Sequence, residues 1–132
     1  MIVDASAVLA VLFAEPDAIR FATAIAHAPT RRMSAVNWLE AAMAIDRRGD
    51  DISRGSFAQF FERAAITIVP VTGGHAALAR QAFATWGKGR HAAGLNMGDC
   101  IAHALARSTG EALLFKGNDF VLTDIAPALK DL

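Results

Sequence analysis

The chain has 132 residues and a mass of 14.0 kDa, the size of one folded domain with its own core. Hydrophobic residues make up 54% and charged residues 20% of it, which excludes an intrinsically disordered chain. Thirteen basic residues balance thirteen acidic ones, so overall charge does not indicate a nucleic acid partner. A single cysteine excludes a disulfide framework and favours a reducing cytoplasm. The early apolar run, residues 5–14, is too short to span a bilayer, so we expect no membrane partner.

Strand and helix patterns alternate along the chain. An apolar run predicts a buried strand at residues 1–4, and short runs predict further strands at residues 32–36, 66–71 and 112–115, with a fifth, weaker candidate at 121–125. Amphipathic runs predict helices at residues 6–13, from Pro16 toward Pro29, from about Asn37 to Gly49, and at 53–65, 74–86 and 98–108. This order predicts a single α/β domain over residues 1–132, with a mainly parallel sheet of four to five strands flanked by helices.

Four acidic residues do not lie where solvated acids usually lie: Asp4, Glu40, Asp99 and Asp119. Each also has an ordinary structural interpretation. Asp4 follows a strand and could cap the next helix, and Asp99 suits the positive end of a helix. Glu40 lies three residues after Asn37, the spacing of a capping box. Asp119 could shape a turn of its own.

The four acids nevertheless follow a common pattern. Asp4 ends the first predicted strand and Asp119 follows the fourth, while Glu40 and Asp99 fall in the first turns of predicted helices. The carboxyl ends of parallel strands face one crevice, where ligands bind. Each pair of carboxylates about 5 Å apart would cost about 3 kcal/mol at an effective dielectric constant of about 20, so a cation is expected among them. Hard oxygen ligands without His or Cys suit Mg²⁺ or Mn²⁺ rather than zinc.

Four ordered motifs resemble those of PIN-domain ribonucleases, and most closely the VapC-type toxins of bacterial toxin–antitoxin pairs. They are Val3-Asp4-Ala5-Ser6-Ala7, Asn37-x-x-Glu40, Leu95-Asn-Met-Gly-Asp99-Cys100 and Leu114-Phe-Lys-Gly-Asn-Asp119-Phe120. The resemblance covers essentially the whole chain. It implies a twisted parallel sheet and a Mg²⁺- or Mn²⁺-dependent endoribonuclease that cleaves RNA phosphodiester bonds. It makes Asp4, Glu40, Asp99 and Asp119 the metal-binding and catalytic acids, with Ser6 as the supporting hydroxyl beside Asp4.

The same resemblance implies a homodimer and a small cognate VapB-type antitoxin that blocks the acidic crevice. Asp4 and Asp99 are the expected direct metal ligands, and the sequence leaves open whether one ion or two is bound. The alternative function is a non-catalytic PIN scaffold that binds RNA or protein.

The neutral chain also needs local basic contacts to hold RNA. Lys88 and Arg90, in a glycine-flanked loop, and Lys116, just before Asp119, are the candidates, with solvated surface charge as the alternative.

Two further features have plainer interpretations. Cys100, beside Asp99, is expected to be a small buried side chain rather than a nucleophile, because no His lies at a usable spacing. The pairs Arg31-Arg32 and Arg47-Arg48 are expected to form solvated surface. No Walker glycine loop or dinucleotide-binding fingerprint is present.

Overall fold

A parallel four-stranded sheet organises the chain in the structure, a computed structural model that describes residues 1–130. The strands, in chain order, are β1 (Ile2–Val3), β2 (Arg32–Ser34), β3 (Thr67–Val69) and β4 (Leu113–Leu114). Their spatial order is β3-β2-β1-β4, with Ile2 opposite both Arg32 and Leu113. The predicted α/β fold with a parallel sheet is therefore confirmed.

Six helices connect or follow the strands within residues 1–130. They are α1 (Ala5–Leu12), α2 (Ala18–His27), α3 (Ala35–Arg48), α4 (Asp51–Ala64), α5 (Gly73–Trp86) and α6 (Met97–Thr109). Their ends follow local sequence signals: Asp50 caps α4 by accepting from the Ser53 amide at 2.7 Å. Gly49 ends α3 at φ 71°, a conformation that favours glycine. None of these helices is both long enough and apolar enough to cross a membrane.

The predicted fifth strand at residues 121–125 is wrong. This segment turns instead, because the Thr123 amide and hydroxyl both donate to the Phe120 carbonyl, at 3.0 and 2.8 Å. The residues just beyond the turn pair with β4: the Leu113 amide donates to Ala126, and the Ala128 amide donates to Leu113. The edge of the sheet is therefore covered by a single bridge at Pro127 rather than by a strand.

Helices cover both faces of the sheet, and the two-residue side-chain period of the strands assigns each residue to a face. Ile2 and Leu113 pack against a core cluster built mainly from α5 and α6. Their neighbours Val3 and Leu114 pack on the other side, against α1, α2 and α4. All four side chains are fully buried. This packing fixes β1 and β4 side by side, so the residues that follow them emerge at one edge of the sheet.

Candidate active site

The four acids singled out by the sequence meet at the carboxyl edge of the sheet. Asp4, Glu40, Asp99 and Asp119 line one pocket of about 380 Å³, together with Ser6 and Lys116. Asp4 follows β1 and Asp119 follows β4, while Glu40 and Asp99 come from α3 and α6. The convergence that a parallel sheet implied is present.

Asp4 is held by Ser6. It is the N-cap of α1, and its Oδ2 accepts hydrogen bonds from the Ser6 amide at 3.1 Å and the Ser6 hydroxyl at 2.6 Å. The same hydroxyl accepts from the Lys116 amide at 2.9 Å, so Ser6 ties the end of β4 to the acid that ends β1. Burial raises the pKa of Asp4, while the hydrogen bonds from Ser6 oppose that rise. Asp4 thus caps a helix and also lines the pocket.

Glu40 is positioned by a buried amide rather than by a helix cap. The N-cap of α3 is Ser34, whose hydroxyl accepts from the Val36 amide, so a capping box formed by Asn37 and Glu40 is ruled out. Glu40 lies in the second turn of α3, not in its first turn as predicted, because the helix begins earlier. The fully buried Asn37 side chain donates to Glu40 Oε1 at 2.7 Å and to the Gly98 carbonyl at 3.0 Å. Asn37 therefore joins α3 to the start of α6.

Gly98 makes room for Glu40. A Cβ atom at this position would overlap the Glu40 carboxylate, so the carboxylate can lie against the start of α6 in this position only because residue 98 is glycine. Burial is the main cause that raises the pKa of Glu40, and the charge of Asp4 adds to it. The hydrogen bond from Asn37 acts in the opposite direction.

Asp99 combines a cap with a place in the acidic pocket. Its Oδ2 accepts from the Asn96 amide at 3.1 Å, and its own amide donates to Asn96 Oδ1 at 2.9 Å, which is a capping box. Burial, with the charges of Asp119 and Asp4 nearby, raises the pKa of Asp99 to about 7. Burial, with the repulsion from the other acids, therefore favours a proton or a cation at this carboxylate.

Asp119 is the most exposed of the four acids. It lies in the loop after β4, where Gly117 turns the chain at φ 101°. The next residue, Phe120, is buried and packs on Phe115 with 5.1 Å between the ring centroids. This aromatic contact anchors the loop and holds Asp119 at the rim of the pocket.

The residues of this pocket fit a hard divalent cation in their chemistry. All four are oxygen donors, and a cation would offset both the burial and the repulsion that raise the pKa of Asp99. Among residues 1–130, no three His, Cys, Asp or Glu side chains stand close enough together to hold an ion as they are arranged. Mg²⁺ usually keeps several waters and is bound by one or two carboxylates, so two of these acids would be enough to hold it.

The predicted basic contacts differ in their surroundings. Lys116 lines the acidic pocket, but its Nζ donates to Asp17 at 2.9 Å and also contacts Glu15, so its charge is already paired. Lys88 and Arg90 are exposed and do not line the pocket, and the Arg90 guanidinium lies 5.4 Å from the centroid of the Phe83 ring. A role for any of the three in RNA binding stays a prediction.

Sequence reasoning missed Gly98, which lies against the Glu40 carboxylate, and Arg47, which lines the pocket. Gly98 belongs to the motif Leu95-Asn-Met-Gly-Asp99-Cys100, and its position just before Asp99 was the available signal. Arg47 lines the pocket, although the sequence favoured plain solvated surface. Its spacing of seven residues from Glu40, which returns to the same helical face, could have indicated it.

Cys100, next to Asp99, is buried as predicted. Burial and the charge of Asp99 raise the pKa of its thiol to about 11. The thiol is therefore protonated at neutral pH, and this residue is not an activated nucleophile.

Comparison with known proteins identifies the family of the chain and agrees with its fold. The family model of the PIN domain matches residues 1–126. Ribonucleases VapC30 and VapC28 of Mycobacterium tuberculosis are each 45% identical to the chain, over 126 and 130 residues, and the matches cover 96% and 98% of both chains. The crystal structure of Mycobacterium tuberculosis VapC20, a sarcin-ricin loop cleaving toxin, superposes with a TM-score of 0.75 over 95% of both chains at 17% identity, which supports the fold. The chain therefore belongs to the PIN-domain family, among the VapC ribonucleases.

Proposed function

We propose that this protein is a Mg²⁺- or Mn²⁺-dependent endoribonuclease and the toxin of a toxin–antitoxin pair. The observation that carries the proposal is the convergence of Asp4, Glu40, Asp99 and Asp119 on one pocket. The named activity of relatives at 45% identity supports the same class of reaction.

The buried acids are the best candidates to hold the ion. Asp4 and Asp99 are both fixed by hydrogen bonds, to Ser6 and to Asn96, so little side-chain freedom is lost when they bind. Glu40 and Asp119 would complete the set. When bound, a divalent ion neutralises charge on the phosphate and makes a water more acidic.

Glu40 is well placed to orient or deprotonate the attacking water. Asn37 fixes one of its oxygens, and burial raises its pKa above that of an ordinary glutamate, which makes it a better proton acceptor. Ser6 is a positioning residue, because it acts on the reaction only through the Asp4 carboxylate.

Membership of the VapC family supports further proposals about partners. We propose RNA as the substrate, a VapB-type antitoxin as the inhibitory partner, a homodimer as the working form and the cytoplasm as its location. The antitoxin would silence the enzyme by blocking the acidic pocket.

Cleavage of RNA by the purified protein tests the enzymatic proposal. Labelled RNA incubated with Mg²⁺ or Mn²⁺ should be cut, EDTA should stop the reaction, and an excess of either ion should restore it. RNA that is bound but remains intact under every metal condition would instead support a non-catalytic binding module.

A further inference from the structure

We propose that Arg47 binds an RNA phosphate adjacent to the one being cleaved, so that the strand runs along α3 from Glu40 toward the end of that helix. The inference rests on the proposed ribonuclease function and concerns how the substrate is held. It assigns a binding role to a residue that sequence reasoning left as plain surface.

The geometry of α3 brings Arg47 to the acidic pocket. Glu40, Met43, Ala44 and Arg47 all line that pocket and are spaced at i, i+3, i+4 and i+7, which is one face of a helix. Seven residues of helix advance about 10 Å along the axis. Arg47 therefore lies beyond Glu40 along the same wall, near the last turn of α3, rather than among the acids.

Arg47 also differs from the other basic side chain of the pocket in its ion pairing. In the part of the chain that the structure describes, it takes part in no salt bridge. Lys116, the other basic residue in the lining, is paired with Glu15 and Asp17. Arg48, the next residue along the chain, stacks its guanidinium 4.0 Å from the centroid of the Phe13 ring.

The charge of the pocket favours a basic group beside it. Four carboxylates repel a polyanion, and a bound cation would offset only part of their charge. An exposed guanidinium offers paired N–H donors in the geometry of a phosphate, and it is charged at every physiological pH. An RNA strand that lies along α3 would place the phosphate next to the reacting one beside Arg47.

A comparison of two adjacent arginines tests the inference. RNA binding is measured with Ca²⁺ in place of the catalytic ion, over a salt series from about 0.05 to 0.2 M, for the parent, Arg47→Ala, Arg47→Lys and Arg48→Ala. Arg48→Ala removes the same charge from the next position of the same exposed helix end, so it controls for net charge. Melting curves check that each variant is folded.

Loss of one phosphate contact should reduce the salt dependence by about 0.7 in log–log slope, which corresponds to about fivefold weaker binding at 0.1 M salt. We expect this for Arg47→Ala, whereas Arg47→Lys should keep the parent slope and Arg48→Ala should bind like the parent. In cleavage assays Arg47→Ala should raise KM and leave kcat near the parent value, because the contact is remote from the reacting phosphate.

Equal slopes and affinities for Arg47→Ala and Arg48→Ala would overturn the inference, because Arg47 would then contribute no more to RNA binding than its neighbour. If the parent cleaves RNA in that case, the ribonuclease proposal stands and only the role of Arg47 is lost. A parent that neither binds nor cleaves RNA would overturn both.

Discussion

Asp99→Asn is expected to stabilise the metal-free protein although it alters a buried residue at the start of α6. The change removes a negative charge that burial, Asp119 and Asp4 all disfavour. It keeps an oxygen that can accept from the Asn96 amide, so the capping box survives. A residue that acted only as a cap would give no such gain.

The magnitude follows from the pKa. The Asp99 carboxyl rises from its ordinary value of 3.8 to about 7, and each pKa unit corresponds to about 1.4 kcal/mol. The whole shift amounts to about 4 kcal/mol at pH 8. Because the effect is shared with Asp4 and Asp119 and the pocket is open to water, we expect the gain in unfolding free energy to be about 2 kcal/mol.

The size of this gain in unfolding free energy depends on pH. Between the unfolded pKa of 3.8 and the folded pKa of about 7, the native state holds more protons than the unfolded state. The stability of the parent therefore falls as pH rises through this window and stays low above it. The advantage of Asp99→Asn should be largest near pH 8 and should shrink as the pH approaches 4.

Denaturant unfolding in EDTA across this pH range measures the effect. Asp46→Asn is the matched control, since Asp46 is exposed on α3 and pairs only at the surface with Arg54. Adding Mn²⁺ should stabilise the parent and the control more than Asp99→Asn. The reasoning is refuted if the variant is less stable than the parent at pH 8, or if its gain from Mn²⁺ equals that of the parent.

Three other changes follow from the same contacts. Gly98→Ala should lower kcat at least tenfold with little loss of stability, because its methyl group displaces Glu40; a parent-like rate would contradict the close approach. Ser6→Ala should lower the free energy of unfolding by about 1–2 kcal/mol, because the Lys116 amide loses its acceptor. The variant should also need more metal for half-maximal cleavage, because Asp4 loses a hydrogen bond that lowers its pKa. Titrating Mn²⁺ into the metal-free parent should raise its Tm progressively, because the unfolding free energy rises by about 2.7 kcal/mol when the ion is at 100 times its Kd. A Tm that does not change would exclude an ion held by the native state.

The parts of the fold that the sequence predicted are those with local signals. The buried strands β1 and β4 are short apolar runs, and Asp4 could be placed at the carboxyl edge because β1 ends there. The end of α3 was readable from Gly49. Residues 121–125 were misread because their apolar pattern suits a strand, whereas a turn closed by Thr123 decides their conformation.

The acids of the candidate site could be predicted from the sequence, but the contacts around them could not. Parallel topology alone gathers residues that follow β1 and β4, which is why Asp4 and Asp119 could be paired in advance. The pairing of Lys116 with Glu15 and Asp17 joins residues about a hundred positions apart, and no local pattern encodes it. The fit of Glu40 against the backbone of α6 likewise depends on how two helices pack.

The rate of RNA cleavage by Asp4→Asn tests the central claim most directly. The variant keeps the shape of the side chain but removes its charge from the pocket, and Asp46→Asn removes an equal charge from the surface of α3. With saturating Mn²⁺ and both variants folded, we predict a loss of at least a hundredfold, about 2.7 kcal/mol of transition-state stabilisation, for Asp4→Asn and a parent-like rate for Asp46→Asn. Cleavage by Asp4→Asn at the parent rate would contradict the assignment of the acidic pocket as the active site.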